Sequence, residues 1–338
     1  MTLNSIGDQA RSFALSLASN RIKTTLATLT QEVASGQVAD LGARLDGNTR
    51  ALHDIETRIE IATQLRRNGS DAGARLQAVQ DMFEGVRLIT TQLGLGMASD
   101  PFSTTPMVVQ TRSAEAAQVF ESVIQKLNGT HANRHLLAGE APDIRPIAEP
   151  GQILDSLQAL TAGMTTADDI ATAVAAWFDA PAGGGGYLDT AYFGTLGSAQ
   201  RIAVGEGSVV EMGTTGASPA VRDILKGLAT AALVDRGALA GNLAERHQLL
   251  SAAGRQMVSA DSQILTEMGR VGLAQQTVEQ ASVTGTSTLN SLNRARSDIR
   301  GADPFETAAA LTEVQNQLES LYAVTARLSK LKLVDYLR

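Results

Sequence analysis

The sequence has no cysteine in its 338 residues. That excludes disulfides, thiolate nucleophiles and cysteine-ligated metals. Aromatic residues are scarce too, at 4%. A chain built around one large core would hold more of them, whereas long helices packed on Ala, Leu and Val tolerate the shortage. Basic charge is not in excess: 28 Lys and Arg stand against 35 Asp and Glu, for a net charge of −7. An acidic balance argues against nucleic acid as a partner. No stretch reaches the roughly 18 consecutive apolar residues of a membrane span. The opening MTLNSIGDQARSFALSLASN lacks the basic n-region and apolar h-region of a secretory signal peptide. The expectation is a soluble acidic chain that binds neither membrane nor nucleic acid and uses no signal-peptide route.

Apolar residues at helical spacing dominate both ends. Leu15, Ile22, Leu26, Leu29 and Val33 form a heptad-like seam that should close at Ser35-Gly36. Ile55, Ile59 and Ala62 share a face, and Leu76, Val79, Phe83, Val86 and Leu93 continue it after Asn68-Gly69. This predicts one long helix, or two in succession, over about 50–95, with GLGMASDPFST as a loop. Thr105-Pro106 reads as N-cap and first residue of a helix to about 130, carrying Ala117, Phe120, Ile124 and Leu127. Towards the other end, Leu250, Ala253, Met257, Ala260, Ile264 and Val271 mark a helix that reaches about 283. ASVTGTST is a candidate break after it. Asp303-Pro304-Phe305-Glu306 is a helix start with a capping box. The last helix presents Leu311, Val314, Leu318, Leu321 and Leu328, with Thr325 in the seam, and stays apolar through LSKLKLVDYLR.

The middle differs. Residues 141–219 hold most of the prolines and the run GGGG at 183–186. Residues 152–163 and 167–178 read as short helices. YLDTAYF, RIAVGEG and SVVEMG read as short strands. The fold class expected is mainly α: a long helical hairpin or coiled-coil rod formed by both termini, with a small inserted α+β outer domain. An isolated amphipathic helix is unstable, so each terminal seam needs a partner, and the nearest is the other terminal seam. The predicted interface sets Leu15, Ile22, Leu26 and Leu29 against Leu311, Leu318, Leu321 and Leu328.

Four stretches resemble the bacterial flagellin family, in the family's order. They are LTQEVASGQVADLG (29–42), RRNGSDAGARLQAVQDMFEGVRLITTQL (66–93), RVGLAQQTVEQAS (270–282) and SDIRGADPFETAAALTEVQNQLESLYAVTARLSKLKLVDYL (297–337). A fifth, RHLLAGEAPDIRPI (134–147), is similar to the stretch with which the family's hook–filament junction members leave the helical rod, with Leu137 and Ile147 at positions where Phe is usual. The resemblance implies a structural subunit of the flagellum, exported unfolded through the flagellar type III channel and located outside the cell. It implies as partners a hook-side junction protein, flagellin, copies of the chain in a helical ring, and an export chaperone before secretion. It also implies a terminal coiled-coil domain (1–45 and 285–338), unfolded until it docks, a helical rod (46–140 and 220–284) and a variable outer domain (141–219). A minor filament flagellin is the alternative within the family.

No enzyme, cofactor or metal site is expected. His131 and His135 have an i, i+4 spacing that can bind a metal, the remote alternative being a metal-dependent enzyme on this scaffold. Without an intervening Glu they read as surface histidines at a helix end. GGGG lacks the Lys-Ser/Thr of a phosphate loop and reads as a flexible loop. Asn128-Gly129-Thr130 matches a glycosylation pattern but reads as a turn. Trp177-Phe178 is expected to anchor the core of the middle segment.

Overall fold

The computed structural model describes residues 3–98, 105–197 and 199–336, with side chains described between 9 and 327. The fold is mainly α, with two small antiparallel two-stranded sheets among the described residues. The chain divides into two compact units, residues 1–61 with 287–338, and residues 62–286.

The first unit is built on α1 (Leu3–Ser35) and α10 (Pro304–Tyr336), which pack against each other. Gly36 ends α1 in the left-handed region, at φ +67°, where glycine carries no Cβ penalty. Asp40 caps the short α2 (Leu41–Arg44) by accepting from the Ala43 amide at 2.9 Å. Asp303 caps α10, its Oδ1 accepting from the amides of Phe305 at 2.8 Å and Glu306 at 3.2 Å. The return bond comes from Thr307, whose hydroxyl donates to the Asp303 carbonyl at 2.7 Å.

The second unit contains the extended core. α3 (Arg50–Ala98) and α9 (Leu243–Arg300) begin or end in the first unit and contribute most of their length here. Leu76, Val79, Phe83, Val86 and Leu93 on α3 are buried, as are Leu250, Ala253, Met257, Ala260, Ile264 and Val271 on α9. α4 (Pro106–Leu127) adds Phe120, Ile124 and Leu127, and α8 (Pro219–Asp235) is buried along nearly its whole length. α5 (Pro150–Leu160) and α6 (Ala167–Asp179) pack on α8.

Several local expectations are corrected. Asn68-Gly69 does not interrupt α3, and the Asn68 side-chain Nδ2 donates to the Ala203 carbonyl at 3.1 Å, which helps hold this turn of the helix. α3 also runs through Gly94 and Gly96 to Ala98, where a loop was expected. These glycines serve close packing instead. A Cβ on Gly94 would meet Met257 Cβ at 3.0 Å, and one on Gly254 would meet the Gly94 carbonyl at 2.8 Å. ASVTGTST is helical throughout, within α9. α4 ends at Leu127, and residues 130–135 form a tiny hairpin of β1 (Thr130–His131) and β2 (Arg134–His135). Ala132 and Asn133, both at positive φ, make its turn. YLDTAYF is not a strand: Tyr187–Thr190 form the short α7, and Tyr192 makes a single bridge with Ile147. β3 (Gln200–Gly205) and β4 (Ser208–Met212) pair as the expected strands.

Candidate assembly surface

In the first unit α1 turns Leu15, Ala18, Ile22, Leu26 and Leu29 into partial burial. α10 does the same with Leu311, Val314, Leu318 and Leu321. Each step within a helix is three or four residues, which keeps one stripe facing one way. Seven of the eight expected interface leucines and isoleucine therefore lie on half-buried stripes of two packed helices. The side chain of Leu328 lies outside the described residues. Val33 and Thr325 are exposed and leave the seam. Glu32 turns inward in place of Val33, and its carboxylate accepts from the Ala39 amide at 2.8 Å, holding the chain as it leaves the helix.

Just beyond that end, two segments pair in antiparallel fashion. The Val38 amide donates to the Arg300 carbonyl at 2.9 Å, and the Ala302 amide to the Gly36 carbonyl at 3.0 Å. Arg300 also reaches Glu56 at 3.1 Å. Thr307, next to this staple, is buried. None of these links could be read from apolar periodicity, because they are made by backbone and by single polar side chains.

Burial in this unit is incomplete. Among its described residues the buried side chains are Leu52, Leu292 and Thr307. Large apolar groups face outward, with Phe305 86% exposed, Phe13 70% and Tyr322 51%. A shallow groove runs beside Ile22, Gln317, Leu321 and Val324. Fully burying one Leu or Phe is worth about 1.5–3 kcal/mol. This surface thus retains apolar area that a further helix or chain would cover favourably.

The segment 134–147 lies in the second unit and is pinned there. Leu137 and Ile147 are fully buried. The Asn128 side chain acts as a strand would: its Nδ2 donates to the Ile147 carbonyl at 3.0 Å, and its Oδ1 accepts from the Ile147 amide at 2.9 Å. Asn128 is thereby a buried clamp within a turn. Tyr192 donates to the Leu137 carbonyl at 3.2 Å and Tyr187 to the Gly216 carbonyl at 3.0 Å. Phe178 and Tyr187 have no exposed surface, and Trp177 meets Phe178 edge-on at 4.9 Å. Burial pushes the Tyr187 phenol well above its ordinary pKa, so it remains a neutral donor.

The remaining motifs also find places. His131 and His135 are in a hairpin, so the helical i, i+4 geometry does not exist. The His135 ring pairs through Nδ1 with the Asn128 carbonyl at 2.8 Å. Among the described residues no group of three His, Asp or Glu side chains could hold a metal. GGGG is an organised turn, since Asp189 accepts from the amides of Gly183 at 2.8 Å and Gly185 at 2.7 Å. Among the described residues no helix is long and apolar enough to cross a membrane.

Residues 248–337 match the family described as the bacterial flagellin C-terminal helical region. That region takes in most of α9 and of α10. Among solved structures it is similar to FlgL of Bacillus cereus, at 14% identity and a TM-score of 0.45, over 72% of this chain and 97% of that one. It is also similar to a Vibrio parahaemolyticus protein described as flagellar hook-associated, at 11% identity and a TM-score of 0.39, over 71% and 95%. Compared by sequence with curated proteins, the chain matches none.

Proposed function

We propose that this chain is a structural subunit of the bacterial flagellum that joins the hook to the flagellin filament, and that it is not an enzyme. The observation that carries the reading is the flagellin-type C-terminal region combined with an apolar surface left unfinished on the α1–α10 pair. RHLLAGEAPDIRPI, the stretch similar to junction proteins, favours the junction over the filament body. Leu15, Ile22, Leu26, Leu29, Leu311, Leu318, Leu321 and Leu328 are the interface residues. Copies of the chain, a hook-side junction protein and flagellin cover the surface around them, and a heterologous contact that does not close generates the helical ring.

In this reading residues 1–45 and 285–338 order on docking, so that assembly depends on a template at the hook tip. Residues 46–140 with 220–284 form the rod, and 141–219 the outer domain. The chain reaches its extracellular site through the flagellar export channel, held by a chaperone until then.

Immunogold labelling of whole cells with antibody to residues 141–219 tests this. A single band between hook and filament is expected. Label along the filament would make the chain a minor flagellin, and absence of flagellar label would overturn the reading.

A further inference from the structure

One arginine of the second unit is buried without an anion. Arg75 on α3 keeps 9% of its surface exposed. Its Nη1 donates to the Gln200 side-chain oxygen at 2.7 Å, and its Nε is buried with no acceptor. Among the described residues no carboxylate stands within ion-pair distance of it. Taking a guanidinium out of water is costly unless an opposite charge and hydrogen bonds replace the solvent. A single neutral amide replaces part of that solvation. Burial, and then the like charge of Arg134, lower the Arg75 pKa, which is the direction for a cation lacking its counter-charge.

Arg75 lines a cavity of about 260 Å³ within the second unit. Leu76, Val79 and Val271 give that cavity apolar walls. Two carboxylates and a second arginine, Arg270, also line it, and each carboxylate has an arginine partner of its own. Glu267 accepts from Arg270 at 2.8 Å, and Glu211 pairs with Arg201 at 3.4 Å. With Glu267 and Glu211 paired to Arg270 and Arg201, Arg75 is the lining cation left without an opposite charge, and it stands beside an apolar wall, which is the complement of a carboxylate on a short aliphatic stem.

We propose that this cavity is a binding site for such a carboxylate, with Arg75 as its counter-ion. The inference stands independently of where the chain sits in the flagellum. The carboxylate can come from a free short-chain acid or from an acidic side chain of a second copy, and the same experiment separates these.

Butyrate is the probe, with chloride at matched ionic strength as control. The full chain is labelled at arginine with ¹⁵N, and the Arg75 Nε resonance is followed. Butyrate is expected to move it saturably below about 100 mM, and chloride to leave it in place. Ala274→Leu fills the cavity and leaves Arg75 present, and should weaken butyrate at least about tenfold. Arg75→Met should abolish the butyrate-dependent rise in melting temperature while remaining folded. If the resonance also moves with protein concentration and butyrate reverses that, the carboxylate belongs to another copy. If it moves with butyrate alone, the ligand is a free acid. No saturable movement, an equal response to chloride, or unchanged affinity in Ala274→Leu would overturn the proposal.

Discussion

In the second unit Phe120, Phe178 and Tyr187 have no exposed surface, whereas in the first unit Leu15, Leu26, Leu29, Leu311, Leu318 and Leu321 are only partly buried. The helices are equally regular in both. What differs is how many elements surround each apolar stripe. α8 is buried nearly end to end by neighbouring helices, while α1 has α10 as its packed partner. Helix formation and core formation are thus separable: periodicity supplies the first, and the number of covering layers supplies the second. A unit with one layer too few is suited to finishing its burial in an assembly.

The sharpest break of that comparison is functional. Leu321→Asp places a carboxylate on the half-buried stripe beside the groove at Ile22 and Val324. The monomer is expected to stay soluble, with the thermal transition of the second unit unchanged. Filament attachment is expected to be lost, as seen by motility and electron microscopy of cells carrying the variant. Normal filaments would show that the stripe is not an assembly surface.

Stability should respond in the opposite way in the second unit. Phe178→Ala empties a fully buried site and should cost about 3–5 kcal/mol in urea denaturation. Leu26→Ala, on a half-buried stripe, should cost about 1 kcal/mol or less in the isolated chain. Similar losses at the two positions would remove the contrast between the units.

Glycine in helices divides along the same line of reasoning. A Cβ at Gly254 would sit 2.7 Å from the Ala98 amide nitrogen and 2.8 Å from the Met97 Cβ. Gly254→Ala should therefore destabilise by about 1–3 kcal/mol, although alanine is the better helix former. Gly285, also within α9, has nothing within 4 Å of a built Cβ. Gly285→Ala should stabilise by about 0.5–1 kcal/mol. Measuring both by chemical denaturation separates packing glycines from tolerated ones.

These pairs also show how far the sequence could be read. The α3 and α9 stripes were legible because large apolar residues recur at three and four: those from Leu76 to Leu93 and from Leu250 to Val271 are buried, while Ile55, Ile59 and Ala62 are half-buried. Gly94 and Gly285 misled because glycine has the same signature whether it breaks a helix or admits a neighbour, and a single chain does not show its neighbours. His131 and His135 misled for a related reason: helical spacing has meaning only where the helix continues, and it stops at Leu127. The Asn128-Gly129 turn before them was the available signal. Of the assembly surface, the leucine stripes were legible. The staple between residues 36–38 and 300–302 was not, since backbone pairing leaves no side-chain pattern. The burial of Arg75 was equally hidden, because only the fold brings Gln200 and Arg134 near it.

The smallest effect expected concerns pH and the glycine turn. Asp189 holds Gly183 and Gly185, which sit at φ +86° and +75°, by accepting their amides. Those bonds favour the carboxylate and depress its pKa below the ordinary 3.8. A folded pKa lower than the unfolded one means that the unfolded state binds the proton more readily. The contribution is therefore full above the ordinary carboxylate value, and it disappears as pH falls through the lower folded value. Asp189 is exposed, so the contribution is small. The difference in urea midpoint between the native chain and Asp189→Asn should be constant from neutral pH down to about 5 and should shrink in more acid solution. A difference that holds constant into strong acid would mean that the turn is set by its glycines alone, and that Asp189 merely lies against it.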